Sequence, residues 1–275
     1  MNKTNIEYLD YTWNVTHGCS KICIGCRNCW AELMAKRLAA MGVPGYDKDD
    51  PFKVTFCPDR LNEPFKIKKP SRIGVSFMGD LFHEDIKYNE LEKIFFQMVY
   101  PANIHTYLIL TKRPSNMLEF LRQYSDYNII SNNIQFGISI STQKDADEMI
   151  PILLQIKAMF PNLIVFVSVE PMLERIDLTW INHGRVTIID CLEGYHGFPT
   201  PHEKCQKIDW VIIGNENAPK NKRRDCKLED IEDLVQQCES AGIPVFVKQA
   251  VINGKLVKMP EINGKVYDQY PKGVK

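Results

Sequence analysis

The chain has 275 residues, with 34 Lys and Arg against 34 Asp and Glu and hence a formal charge of zero. That balance weighs against a bulk polyanion binder, although local basic patches can still hold a nucleic acid. Charged residues at 25% and hydrophobic residues at 44% describe an ordinary globular protein, long enough to bury a full core without covalent staples. The opening MNKTNIEYLDYTWNV holds no apolar stretch of the signal-peptide kind. The longest apolar run, Leu163 to Val167, is far too short to span a bilayer. No membrane role and a cytoplasmic, reducing location are expected. Disulfides are rare there, so the nine cysteines need another explanation.

In chain order, a strand over residues 11–15 precedes four of those cysteines, Cys19, Cys23, Cys26 and Cys29, which crowd into eleven residues. Residues 42–70, rich in Pro, Asp and Lys, read as a loop-like excursion. A strand over 72–77 follows. Then comes a helix, with Leu91, Ile94, Phe95, Met98 and Val99 at i, i+3, i+4, i+7 and i+8. Strands over 105–110, 134–140 and 163–169 alternate with helices in which Pro114 and Pro151 suit first-turn positions. Residues 182–207 form a second loop-like insertion, with an extra strand at 186–189. A strand over 210–213 comes next. A helix carrying Leu228, Ile231, Leu234, Val235 and Cys238 follows it, ended by Gly242-Ile-Pro244. A strand over 244–247 is the last.

Short apolar strands alternating with amphipathic helices argue for right-handed βαβ units around a parallel sheet. About seven such units fit a closed or partial (β/α) barrel better than an open doubly wound sheet. The expectation is one barrel domain over residues 1–275 with the two insertions.

The cysteine segment reads His17-Gly18-Cys19-Ser-Lys-Ile-Cys23-Ile-Gly-Cys26-Arg-Asn-Cys29-Trp30-Ala-Glu32. Two or three residues between neighbouring thiols let one loop wrap them around a single centre. Thiolates are soft ligands, suited to iron–sulfur clusters or zinc. Four cysteines can close a structural zinc site, although such sites usually draw on two separated pairs. Three can hold a [4Fe–4S] cluster and leave one iron open. Two triplets serve that purpose: Cys19-x3-Cys23-x2-Cys26, the spacing of the radical S-adenosylmethionine loop, and Cys19-x6-Cys26-x2-Cys29.

A series of segments carries a resemblance along nearly the whole chain. They are Trp13-Asn-Val-Thr-His-Gly-Cys19, Gly25-Cys-Arg-Asn-Cys-Trp-Ala-Glu32, Gly79-Asp-Leu-Phe-His-Glu84 and Leu110-Thr-Lys-Arg-Pro114. Gly137-Ile-Ser-Ile140, Ser168-Val-Glu-Pro171, Trp210-Val-Ile-Ile-Gly214 and Lys248-Gln249 continue it. In these the chain resembles a phage and mobile-element family of unassigned function, marked by a three-cysteine motif and regarded as radical-SAM-like. The resemblance places the cluster on Cys19, Cys26 and Cys29, with Cys23 an addition of this chain. The family's Gly-Gly-Glu-Ser-Gly-like turn is here Gly214-Asn-Glu-Asn-Ala218, which keeps Glu216.

The resemblance also implies S-adenosylmethionine as cofactor, chelated at the open iron and cleaved to a radical that abstracts hydrogen from a substrate. A reductase or flavodoxin-like protein would supply the electron. Cofactor contacts are expected where barrel active sites sit, at the carboxyl ends of strands. Asp80, with His83 and Glu84 beside it, would pair with the methionine ammonium, or cap a turn. Lys112 and Arg113 could hold a carboxylate or phosphate, or lie on the surface. Glu170 would take ribose hydroxyls, or cap a helix. Ser139, Ser141, Glu216, Asn217, Lys248 and Gln249 complete the strand-end candidates.

Two basic runs, Lys220 to Arg224 and Lys66, Lys68, Lys69 with Arg72, could clamp a phosphodiester backbone, with Trp30, Phe65 or Tyr195 stacking on bases. Solvated loops are the plainer account of both. Cys191 and Cys205 around His196 and His202 could form a second metal site. The resulting expectation is an iron–sulfur enzyme of radical-SAM type acting on an unknown substrate, with a nucleic-acid base the candidate. The rival is a non-enzymatic four-cysteine zinc or iron–sulfur module that binds nucleic acid or a protein partner.

Overall fold

The computed structural model describes residues 1–100, 102–124, 130–184 and 187–273. It divides into two compact units, Met1–Phe136 and Gly137–Lys275.

The first unit carries β1 (Asn2–Lys3), β2 (Tyr11–Trp13), α1 (Trp30–Ala40), β3 (Arg72–Val75), α2 (Tyr88–Val99), β4 (Thr106–Thr111) and α3 (Pro114–Gln123). β1 runs antiparallel to β2, while β2, β3 and β4 pair in parallel. α2 buries Leu91, Ile94, Phe95 and Met98, the stripe that its spacing predicts. Phe95 packs on Phe120 of α3 at 4.9 Å between ring centroids. Each such fully buried side chain contributes roughly 1.5–3 kcal/mol. Pro114 stands at the first turn of α3 as expected, where its missing N–H has no helical partner to lose.

Strand β5 (Ile134–Ile140) is buried along its whole length and contains the boundary between the units. The second unit continues with α4 (Gln143–Met159), β6 (Val165–Val169), β7 (Trp210–Gly214), α5 (Leu228–Ser240), β8 (Val245–Ile252) and β9 (Lys255–Lys258). β6, β7 and β8 pair in parallel, and β9 returns antiparallel. Buried on both faces, β6 and β7 have the continuous apolar runs of interior parallel strands. α5 ends at Gly242 (φ +66°), where the Ile243 N–H reaches the Cys238 carbonyl at 2.9 Å. That is the glycine-terminated helix stop that its sequence signals.

Within the first unit β1 to β4 lie side by side in that order, and within the second β6 to β9 do the same, each set mostly parallel. The mixed α/β expectation holds at that level, and no closed barrel is found among the described residues. No described helix is long and apolar enough to cross a membrane.

Three expectations need correction. Pro151 lies inside α4 rather than in its first turn. The helix starts eight residues earlier because Thr142 and Asp145 form a reciprocal capping box, and the missing Pro151 N–H leaves the Asp147 carbonyl without its helical donor. The second insertion is not a loop. Ile181–His183, Thr187–Asp190, Tyr195–Gly197 and Glu203–Lys204 form a four-stranded antiparallel sheet, and Val186 of the expected strand lies outside the described residues. The last parallel strand also runs longer than 244–247, because Asn253 (φ +51°) and Gly254 (φ +71°) turn it back onto β9. Asn-Gly is the preferred two-residue hairpin turn.

Candidate functional site

In the first unit the cysteine loop leaves the carboxyl end of β2 and is laid against the exit of β3. Gly18 and Gly79 form a parallel bridge, with the Gly18 N–H on the Met78 carbonyl at 3.0 Å. Gly18 has φ +84°, a conformation open to glycine. A Cβ on Gly79 would come within 2.5 Å of the Gly18 carbonyl oxygen. Both glycines are therefore dictated by close backbone approach. Beyond them, Ile24–Cys26 makes one 3-10 turn and Cys29 stands at the N-cap of α1.

All four thiols are half-buried. Cys23 and Cys26 touch at 3.6 Å between sulfurs. The Cys23 thiol hydrogen bond, followed by the Ile22 backbone and the Lys112 charge, outweighs burial and lowers the Cys26 pKa to about 5. Burial, reinforced by the Asp80 carboxylate, pushes Cys19 up to about 11. Burial also raises Cys29, against the Ala31 and Glu32 backbone amides that oppose it.

The strand ends after β3 and β4 meet this loop through Arg113, whose side chain is 6% exposed. Its Nε donates to Glu84 at 2.7 Å, and Nη1 donates to Asp80 and to the Cys19 sulfur, each at 3.3 Å. Nη2 donates to the Ser20 hydroxyl at 2.7 Å and the Ser20 carbonyl at 3.3 Å. Asp80 accepts from the Thr111 hydroxyl at 2.7 Å and from the Phe82 and Lys112 amides at 3.0 Å each. Four donors fill its two oxygens. As assembled, Asp80 positions Arg113 and the strand ends rather than presenting a free carboxylate, which fits the turn-capping reading.

His83 Nδ1 accepts the Asp85 N–H at 3.1 Å, so Nε2 carries the proton and donates to Ser20 at 2.9 Å. Ser20 is thus held by two partners, one from each strand end. Neither Ser20 nor the clamp role of Arg113 follows from the sequence; the only signal for the latter is Arg113's place directly after β4. His17 is buried and stacked on Tyr46 at 4.4 Å, and neither ring nitrogen has a hydrogen-bond partner among the described residues.

The strand-end candidates of the second unit form their own closed set. Lys248 pairs with Glu170, and the Ser139 hydroxyl donates to the Glu170 carbonyl at 3.0 Å. Gly214 gives Glu170 room: a Cβ there would lie 3.3 Å from the carboxyl carbon. Glu216 is buried and takes a two-pronged ion pair from Arg224, together with the Arg224 N–H at 2.9 Å. Gln249 donates to the Asn215 carbonyl at 2.6 Å, whereas the fully buried Asn215 carboxamide has no partner on either atom among the described residues.

The basic runs separate. Arg223 and Arg224 are neutralised by Asp225 and Glu216, and Arg72 by Asp10, while Lys66, Lys68 and Lys69 stay exposed. Cys191 is fully buried, and its thiol donates to the Leu178 carbonyl at 3.1 Å. Among the described residues no group of three or more His, Cys, Asp and Glu side chains is arranged to hold a metal ion. The expected second metal centre at Cys191 and Cys205 is therefore not found. In the cysteine loop, Cys19 faces Arg113 while Cys23 faces Cys26, so the four thiols are not drawn onto one point.

Fold and site together define a mixed α/β protein that carries a cysteine loop at the carboxyl ends of parallel strands. The chain belongs to the family described as a protein of unknown function, DUF5131, whose model matches residues 3–271. No curated protein and no solved structure matches it.

Proposed function

We propose that this protein is an iron–sulfur enzyme of radical-SAM type, built on a βα barrel or partial barrel. Cys19, Cys26 and Cys29 would hold a [4Fe–4S] cluster, and S-adenosylmethionine would be its cofactor. One observation carries the reading: within the first unit, Arg113 ties a four-thiol loop to the carboxyl ends of β3 and β4, the edge where parallel βα proteins do chemistry.

The donor chemistry fits. The loop offers four half-buried sulfur donors, with no His or carboxylate between Cys19 and Cys29. When bound, the pair of cofactors supplies an adenosyl radical able to remove hydrogen from an unreactive C–H bond. The chain's own residues would then have separate tasks. The Arg113 network fixes the start of the loop, Lys112 offers a cation to a carboxylate, and the low pKa of Cys26 presents a thiolate at neutral pH. A nucleic-acid base as substrate rests on the phage resemblance and on the exposed lysines 66, 68 and 69. Reduced, reconstituted protein should change its electron paramagnetic resonance spectrum on addition of S-adenosylmethionine; an unchanged spectrum refutes cofactor binding at the cluster.

A second reading has its own observation. Tetrahedral zinc with Zn–S bonds of about 2.3 Å sets its sulfurs roughly 3.8 Å apart, close to the 3.6 Å between Cys23 and Cys26. A four-cysteine zinc module would need Cys19 and Cys29 to join that pair, and it would bind one zinc per chain and no iron.

A further inference from the structure

Cys23 stands outside the triplet Cys19, Cys26 and Cys29, yet its sulfur touches that of Cys26 at 3.6 Å. The other two thiols of the loop turn elsewhere. Cys19 donates to the Ser20 carbonyl and accepts from Arg113, each at 3.3 Å. Cys29 lies at the N-cap of α1, beside the Ala31 and Glu32 amides. The loop therefore holds one close thiol pair rather than four equivalent sulfurs.

The backbone sets that pair up. Cys23 and Cys26 bracket a 3-10 turn, closed by the Cys26 N–H on the Cys23 carbonyl at 3.1 Å. A turn bond of this kind keeps its two end Cα atoms within about 7 Å of each other, and a disulfide spans roughly 4.4–6.8 Å between Cα atoms. Closing the sulfurs from 3.6 Å to the roughly 2.05 Å of a bond is then a matter of side-chain rotation. Access is open as well. Lys21, Ile22, Ile24 and Arg27 around the pair are exposed, and both thiols are half-buried, so a small oxidant reaches them.

We propose that Cys23 and Cys26 are a reversible thiol-oxidation site, closed to an intramolecular disulfide by a hydroperoxide. One thiol of the pair, as thiolate, attacks a peroxide oxygen, breaks the O–O bond and becomes a sulfenic acid, expelling hydroxide. The second sulfur then attacks the sulfenic sulfur, and the oxygen leaves as water with the second thiol's hydrogen. With hydrogen peroxide, two electrons pass from the dithiol to the oxidant, and two waters carry off the two thiol hydrogens. A second thiol at contact distance resolves the sulfenic acid before it is oxidised further. The linkage would also take Cys26 out of the proposed cluster triplet. Only that consequence rests on the cluster reading; the disulfide itself does not.

The test uses the full chain, reduced and metal-free, with hydrogen peroxide as the oxidant. Trypsin cuts after Lys21 and Arg27, releasing residues 22–27 with Cys23 and Cys26 as its two cysteines. After oxidation that peptide should be lighter by two hydrogens and closed to alkylation, and dithiothreitol should reopen it. The linkage should form roughly tenfold faster in the folded chain than in urea, where the turn no longer sets the sulfurs together. Both thiols still open to alkylation after excess peroxide overturns the proposal. So does a linkage of either one to Cys19 or Cys29, irreversible oxidation of the two thiols separately, or a rate equal to that in urea. Failure of the chain to assemble any cluster counts against the function proposed above and leaves this mapping to decide the disulfide.

Discussion

The guanidinium of Arg113 stands 3.3 Å from the sulfur of Cys19 and 3.3 Å from the Asp80 carboxylate, joining the cysteine loop to two strand ends in one contact. Both charged side chains are 6% exposed. Removing one partner of such a buried pair leaves the other uncompensated, at about 3–5 kcal/mol. Arg113→Met should therefore lower the stability to urea by about that amount. Arg113→Lys should lose less, because it keeps the charge and forfeits the fork. Equal stability of Arg113→Met and wild type would show that the clamp is ornamental.

The same loop depends on the Gly18–Gly79 contact. Gly79→Ala puts a methyl group against backbone that cannot move aside, and overpacking of that kind costs about 1–3 kcal/mol. Gly18→Ala adds a strained φ to an overlap with the Lys53 carbonyl. Both variants should take up less iron in anaerobic reconstitution, with Gly18→Ala the worse. Full uptake by Gly18→Ala would contradict the packing argument.

Thiol reactivity should be strongly selective in metal-free protein. Cys26, lowered to about 5 by the Cys23 hydrogen bond, is a thiolate at pH 7 and should react first with iodoacetamide. Burial pushes Cys19 up to about 11 and Cys226 and Cys238 up to about 12, and it raises the fully buried Cys191 well above the ordinary value, so these four should react last. The rate of labelling at Cys26, followed by mass mapping, should fall as pH drops through about 5 and, on a Cys23→Ala background that removes the donor, rise only at higher pH. A Cys26 midpoint near 9, the ordinary thiol value, would refute the assignment.

Burial lowers His105 below its ordinary 6.5. His17 is lowered by burial and then by Arg60. Below pH 6.5 the unfolded chain therefore binds protons that the folded chain refuses, and stability falls as pH falls. On a Cys26→Ala background, which removes the thiol whose own lowered pKa tilts the curve between about 5 and 9, the urea midpoint should change little from pH 8 to 7 and drop between pH 6.5 and 5. His105→Gln, which keeps a donor for the Pro64 carbonyl, should reduce that drop. An unchanged slope would show that His105 takes no part.

Much of the scaffold is legible in the sequence because buried parallel strands and one-sided helices leave dense apolar patterns. Residues 134–140 read directly as β5, and the stripe from Leu91 to Met98 is the buried face of α2. Pro151 misleads because the capping box at Thr142 and Asp145 outweighs one missing helical hydrogen bond. The meander after Ile181 escapes a pattern reading because its strands are two to four residues long, too short for alternation to register. In the site, the thiols are plain and their partners are not. Asp80 reads in sequence either as a partner for an ammonium or as a turn cap, and its engagement by Phe82 beside it and by Thr111, Lys112 and Arg113 of the next strand end appears only in the fold. Likewise the helix over Trp30–Ala40 goes unread in the sequence, and nothing in its pattern says that the alanine side faces inward.

The central claim is that three thiolates hold an iron–sulfur cluster. It is tested most directly by the iron and acid-labile sulfide bound after anaerobic reconstitution of the wild type, Cys23→Ala and Cys29→Ala. The account predicts about four of each per chain in the wild type and in Cys23→Ala, and loss of the cluster in Cys29→Ala. One zinc and no iron in the wild type, or loss of the cluster in Cys23→Ala, would contradict it.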